Sequence, residues 1–327
     1  MIFGEEHTKN NTDFLEIQQM VTLLFRGMDP TDPIQFIPWI RHLYHTEGFK
    51  SLIAGTQQRD RFLKKKIEER SKILDPNNIN GAIDVLLLQN KDKDSRVDKL
   101  PDDEILMILS DIILASSDTL VESLRWIILL MLHYPECQER IYQELSSSST
   151  INGDCHIKYS DIISKHPYLQ ATLLECFRFA SLIPTVVNKT VCDTSVDGKP
   201  VPKGAMVLFN LHFAHHDPRH WGDRAHEFDP TRWFDNDASS PGKLRSEKYA
   251  SFLPFGAGTR GCLGEKAGRI IITIFAARLF AKYKMIPSPS ASPESPDSIL
   301  QDCKVGTLGL CRCVISPFDV VFEERCG

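Results

Sequence analysis

Apolar residues recur at intervals of three and four along most of this chain, the spacing that gathers side chains on one face of an α-helix. Over residues 14–26 and 59–74 this predicts two amphipathic helices, the second with a charged face of Lys64, Lys65, Lys66, Glu68 and Glu69. The proline- and aromatic-containing stretch 33–49 reads as a connection, and the charged run 91–99 as a solvated loop. The longest helical pattern covers 102–133, a further helix follows Pro135 to residue 145, and residues 160–181 hold one or two more. Alternation then replaces the helical period. Residues 190–210, with an Asp197-Gly198 turn, read as a hairpin. Residues 214–248 are rich in turn formers and read as irregular; a helix resumes over 262–283, residues 287–297 form a surface loop, and 305–324 read as short strands. The sum is a mainly α protein with a small β part, with no repeat and no linker to divide residues 1–327 into more than one domain.

Composition narrows the class of function. Of 327 residues, 42% are hydrophobic and 25% charged, an ordinary globular balance. The 38 basic and 43 acidic residues leave a formal charge of −5, which argues against a nucleic-acid binder held by phosphate contacts. The apolar stretch 105–132 is interrupted by Asp111, Asp118, Glu122 and Arg125, so it reads as a buried helix instead of a bilayer span. The first residues show neither a basic n-region nor an apolar h-region. Nine cysteines, an odd number without a CxxC pair, point away from a disulfide framework and toward a reducing, cytosol-facing location, and the CRC run at 311–313 reads as a strand fragment.

One cysteine stands apart. FLPFGAGTRGCLGE, residues 252–265, places Cys262 among four glycines and one arginine ahead of a helical pattern. A protease nucleophile would need a histidine base, and a structural cysteine is a small hydrophobe; neither role calls for the glycines. Gly256, Gly258 and Gly264 allow sharp turns and close approach to a flat partner. Cys262 at a helix N-terminus would be stabilised as thiolate, and Arg260 offers a cation to an anion beside that partner. Thiolate, cation and bare backbone together suit a haem iron with its propionates. Elsewhere ECFR places Glu175 and Arg178 on one helix face among apolar neighbours. His212 and His216 have the i, i+4 spacing of a metal pair, but with His215, His220 and His226 they read as surface or structural histidines.

FGAGTRGCLG resembles the haem-binding loop of the cytochrome P450 monooxygenases, whose pattern Phe-x-x-Gly-x-Arg-x-Cys-x-Gly falls on Phe255, Gly258, Arg260, Cys262 and Gly264. ECFR and FDPTRW resemble two more of its motifs, which implies that Glu175, Arg178 and Arg232 lock the meander carrying the cysteine loop; Thr231 stands where that family has glutamate. ASSDT, residues 115–119, resembles its oxygen-activating helix motif, with Ser116 in place of glycine. The order of these segments also follows the family, and SLRW and HYPECQERIYQEL look like its microsomal animal type.

The resemblance implies the P450 fold, lacking the family's N-terminal anchor, first sheet strands and early helices, and haem b bound through Cys262. Arg260 and Lys189 would meet propionates, and Phe255, Gly256, Gly258 and Gly264 would line the haem. Thr119 and Asp118 would organise proton delivery, and Ala115, Ile183, Val186 and Leu308 would line the substrate pocket. The implied reaction inserts one oxygen atom of O2 into a lipophilic small molecule at the cytosolic face of the endoplasmic reticulum membrane. No flavin or nicotinamide motif is assigned, so electrons would come from NADPH–cytochrome P450 reductase, with cytochrome b5 as a further partner. The rival reading is a haem-binding fragment or pseudoenzyme that keeps the loop without turnover; a cysteine hydrolase is the remoter one.

Overall fold

The computed structural model describes residues 2–3, 12–28, 32–91, 100–147, 157–234, 244, 250–288, 308–309, 312–313, 315 and 318–325. The run 91–99 and the cysteines at 155, 303, 311 and 326 therefore lie essentially outside the described residues. The chain forms two compact units, Met1–Asp118 and Thr119–Gly327, whose boundary falls inside one continuous helix.

In the first unit, α1 (Thr12–Gly27), the short α2 (Pro33–Phe36), a 3-10 turn (Pro38–His42), α3 (Glu47–Ile73) and α4 (Ala82–Lys91) precede the start of α5 (Asp102–His133). Helix α3 begins twelve residues before the amphipathic signal at Arg59, because Thr46 accepts a hydrogen bond from the Phe49 amide and caps it. The stretch 33–49 is thus more helical than its prolines suggest; both Pro33 and Pro38 sit at first-turn positions, where the missing N–H is not needed. A Cβ on Gly27 would stand 2.4 Å from the Leu52 Cβ, so glycine is what lets α1 and α3 pack this closely. Met20, Leu24, Phe62, Leu63, Ile83, Ile105 and Leu109 form the core of this unit. Lys66, inside the predicted charged face, is buried and pairs with Asp13 at 2.5 Å. Arg70 grips the buried Asp84 at 2.5 and 2.7 Å and holds its carboxyl below the usual carboxylate range.

In the second unit, α6 (Pro135–Ser146), α7 (Tyr159–Lys165) and α8 (Pro167–Ala180) pack with the end of α5 and with α11 (Glu265–Lys282). Trp126, Leu129, Leu130, Ile141, Leu169, Leu173, Ile272, Ala276 and Phe280 make the core. Both carboxylate oxygens of Glu144 on α6 accept amides of α8, from Tyr168 at 2.8 Å and Leu169 at 2.9 Å, satisfying first-turn donors that the helix itself leaves open. The strands form two-stranded antiparallel pieces. Strands β2 (Thr194–Val196) and β3 (Lys199–Val201) are the expected hairpin, with φ of 50° at Asp197 and 73° at Gly198, the left-handed pair of a type I′ turn. Residues Met206–Asn210, however, leave that hairpin: as β4 they pair with β1 (Thr185–Lys189) in the register Thr185 to Asn210. Strand β5 (Tyr283–Pro287) pairs with β8 (Val320–Glu324), and β6 (Leu308–Gly309) with β7 (Arg312–Cys313). The turn-rich segment contains two short helices, α9 (Leu211–His216) and α10 (Pro218–Trp221), capped by the Asn210 and Asp217 side chains. None of the described helices is long and apolar enough to cross a membrane. Helix α5 keeps Leu109, Ile113 and Leu129 buried but leaves Met107 and Val121 exposed.

Candidate active site

The candidate site is built on a buried carboxylate. Glu175 and Arg178 lie one turn apart on α8, and neither exposes any side-chain surface. Arg178 donates from Nε to Glu175 Oε2 at 2.9 Å and from Nη2 to Oε1 at 2.8 Å. Glu175 Oε1 also accepts Arg232 Nε and the Asp229 amide, each at 2.9 Å, and Oε2 accepts the Trp233 indole at 2.8 Å. The remaining guanidinium protons reach carbonyls: Arg178 Nη1 donates to His215 and Ala225, both at 2.7 Å, and Arg232 Nη2 to Arg224 at 2.8 Å and Glu227 at 3.0 Å. A buried ion pair is tolerable only when its other donors and acceptors are met, and here they are. Arg232 thus joins the pair from the 3-10 turn Pro230–Trp233. Thr231 turns to Asp229, whose carboxylate accepts its amide and hydroxyl and also takes Arg224.

Trp233 carries this network toward the cysteine. It is fully buried, and its ring meets that of Phe252 at 4.7 Å in an edge-to-face contact, with Trp221 alongside. The loop begins at Phe252. The Gly256 amide donates to Leu253 O at 3.0 Å, and the Cys262 amide to Phe255 O at 2.8 Å. Gly256 and Gly258 have φ of 72° and 69°, left-handed values that a side chain resists. The half-buried Phe255 packs edge-on to Phe177 of α8 at 5.6 Å and under the Arg269 guanidinium at 4.7 Å. Helix α11 starts at Glu265 with Gly264 as its cap, so Cys262 stands two residues before the cap instead of opening the helix.

The cysteine side chains differ sharply. Cys137 and Cys176 are buried, and burial pushes both thiols up, which makes them poor metal ligands. Cys262 is exposed and borders an open depression of about 400 Å³ lined by Tyr159, Leu263, Glu265, Lys266 and Arg269. Cys192, also exposed, lies between β1 and β2. Arg260 is exposed and makes no ion pair among the described residues. A Cβ on Gly258 would meet nothing within 4 Å, and one on Gly264 would stand 3.8 Å from Cys262 Sγ. No trio of His, Cys, Asp or Glu able to hold a bare metal ion exists among the described residues. One accessible sulfur, one uncommitted cation and a bare loop form a donor set that fits an iron whose other ligands come from a porphyrin.

Gly256-Ala257-Gly258-Thr259-Arg260-Gly261 also has the letters GxGxxG of a dinucleotide-binding turn. That turn must leave a strand and open a helix within a βαβ unit. Here it follows a turn, and no parallel strands occur among the described residues.

The other named residues sit as follows. Thr119, Asp118 and Ala115 lie in mid-α5, where Ser116 donates its hydroxyl to Ile112 O, Ser117 to Ile113 O and Ser123 to Thr119 O, each at 2.7 Å. Ser116, which the resemblance sets at a glycine position, thus has its hydroxyl committed to Ile112 O. Lys189 is exposed at the end of β1, Val186 is half-buried on the same strand, and Ile183 is half-buried just before it. Leu308 belongs to β6. The histidines cluster structurally: His215 and His216 are buried, the His212 and His216 rings are 4.3 Å apart, and burial holds His215 down to about 4 and His216 to about 3. From the sequence Trp233 is assigned no role, although the tryptophan beside Arg232 in FDPTRW is an available signal, and His215 is placed only among the surface or structural histidines, of which it is a buried one.

A family model described as Cytochrome P450 matches residues 1–304. Curated relatives include Cytochrome P450 1A1 of Sparus aurata, 29% identical over 294 residues that make up 88% of this chain and 55% of the relative. Another is the Steroid 17-alpha-hydroxylase/17,20 lyase of Gallus gallus, 30% identical over 77% of this chain and 49% of the relative. Cytochrome P450 1A2 of Felis catus is 30% identical over 85% and 53% respectively. The chain spans about half the length of the curated relatives it matches.

Proposed function

This chain belongs to the cytochrome P450 family, and from that premise we propose that it serves a haem-thiolate monooxygenase acting on a lipophilic small molecule. The observation that carries the reading is the exposed Cys262 on a loop in which Gly256 and Gly258 are left-handed, with Arg260 two residues away. Haem b, when bound, supplies the redox-active iron for dioxygen activation, with electron density pushed toward it by the thiolate. One oxygen atom goes to the substrate, and the other leaves as water with two protons and two electrons.

The chain's residues divide this work. Cys262 would give the sulfur ligand, and the hydrogen bond from its N–H to Phe255 O holds the backbone that carries it. Arg260 and Lys189 neutralise propionates, a charge-assisted pairing for which both side chains are exposed. Gly256, Gly258 and Gly264 keep the loop thin, and Phe255, pinned by Phe177 and Arg269, closes its apolar side. Thr119 and Asp118 hold and pass protons from α5, a general-acid task. Ala115, Ile183, Val186 and Leu308 are the residues this reading assigns to the substrate pocket. Glu175, Arg178 and Arg232 maintain the frame without touching reacting atoms. The reading includes one domain over residues 1–327, electrons from NADPH–cytochrome P450 reductase with cytochrome b5 as a further partner, and the cytosolic face of the endoplasmic reticulum; membership of the family supports a redox partner in general.

Reduced, CO-treated protein reconstituted with haemin tests the core of this reading. The expected result is a Soret band of the thiolate-ligated type that is lost in Cys262→Ser. Colourless protein, or a band unchanged by Cys262→Ser, would overturn it.

A further inference from the structure

We propose that His215, held as a single neutral tautomer, is a positioning residue that sets the cysteine loop in place; the inference rests on Cys262 as the haem ligand. The Leu253 amide donates to His215 Nε2 at 2.9 Å. A backbone N–H can only donate, so Nε2 carries the lone pair and the ring proton resides on Nδ1. That Nδ1–H points at Ser181 Oγ, 2.8 Å away, and the Ser181 hydroxyl donates onward to Arg178 O at 2.9 Å. Arg178 completes the circuit by donating to His215 O at 2.7 Å. Every donor in the circuit has one acceptor, so the ring has no freedom to flip.

The anchor end of this circuit is rigid. Ser181 ends α8 in a left-handed conformation with φ of 42°, and Arg178 belongs to the buried network around Glu175. The other end leads to the thiol. Leu253 O accepts the Gly256 amide at 3.0 Å, and Phe255 O accepts the Cys262 amide at 2.8 Å. The imidazole therefore converts the position of the α8 terminus into the position of the Cys262 backbone through one side chain, and it is only 1% exposed. The Phe252 ring, 6.1 Å from His215, adds apolar contact but no direction for the Leu253 amide. A hydrogen bond to an imidazole nitrogen supplies that direction.

Two substitutions separate the circuit's two arms. In His215→Gln, Oε1 takes the place of Nε2 and still accepts from Leu253; in His215→Asn, the shorter side chain still reaches Ser181 but leaves Leu253 without an acceptor. Hydrogen exchange on the full-length chain reads the difference. His215→Asn should raise exchange across residues 252–262 by about tenfold, while α8 keeps its protection and His215→Gln stays near wild type. With haemin, the thiolate-type CO band should survive in His215→Gln and be diminished in His215→Asn. Nitrogen-15 spectra of the wild-type imidazole should show the proton on Nδ1. A proton on Nε2, unchanged exchange at 252–262 in His215→Asn, or equal loss of protection in both variants throughout α8 would overturn the proposal. Wild-type protein that shows the exchange pattern and takes up no haem would uphold the brace and overturn the haem reading.

Discussion

Glu175 receives more hydrogen bonds than its two oxygens would share at a surface: two from Arg178 and one each from Arg232, Trp233 and the Asp229 amide. Removing its charge leaves two guanidinium groups facing each other in a dry interior, a change that costs about 3–5 kcal/mol when a buried pair is broken. Glu175→Gln should therefore lower unfolding free energy by roughly 3 kcal/mol in urea titrations, whereas Lys65→Ala, which breaks the exposed pair with Glu69, should cost within about 0.5 kcal/mol. Arg178→Lys should resemble Glu175→Gln, because a single ammonium cannot span the carboxylate and three carbonyls at once. Equal effects at Glu175 and Lys65 would show that the network is not buried in solution. The pairing of Glu175 with Arg178 was legible because covalent spacing puts residues three apart on one helix face. The role of Trp233 was not, because the target of an indole N–H depends on which chain segment the fold brings to it.

At the scale of elements, α5 was legible from end to end: Asp102, Asp103 and Glu104 favour its first turn, and Tyr134-Pro135 ends it. Helix α11 starts three residues later than the sequence pattern predicts, since apolar periodicity does not distinguish a glycine-rich approach from the first turn. The partner of Met206–Asn210 was likewise beyond reach, because alternation gives a strand its faces and leaves its neighbour open. Within α5, the proposed proton route can be tested by separating Thr119 from Ser116. Thr119→Ala should raise the peroxide released per O2 consumed, with product falling in proportion. Ser116→Gly should leave that ratio unchanged, because the Ser116 hydroxyl is bonded to Ile112 O, and should cost the helix about 0.5 kcal/mol. Peroxide rising in Ser116→Gly and not in Thr119→Ala would move the route to the serine.

For the whole molecule, acid sensitivity should be unevenly distributed. In Thr119–Gly327, burial is the first cause that holds His215 down to about 4 and His216 to about 3, and the Arg178 guanidinium and the His212 ring add to both. These rings are neutral when folded and titrate near 6.5 when unfolded, so below 6.5 the unfolded chain binds more protons and stability falls with pH until the folded rings titrate. Each ring should remove roughly 2 kcal/mol by pH 5. Among the described residues of Met1–Asp118 the group held down is Asp84, lowered first by its hydrogen bonds from Arg70; its contribution is complete above the ordinary carboxylate value of 3.8 and is lost only below it. Between pH 6.5 and 5, then, the protonation that unfolds this protein should be paid into the unit that carries Cys262. Hydrogen exchange at pH 7 and pH 5 should show protection falling in α8, α9 and residues 252–262 while α1 and α3 hold, and His216→Gln should reduce the fall. Uniform loss across both units, or none in α8 and α9, would mean that the buried imidazoles are already solvated near neutral pH and that the frame behind the thiol is looser than its hydrogen bonds imply.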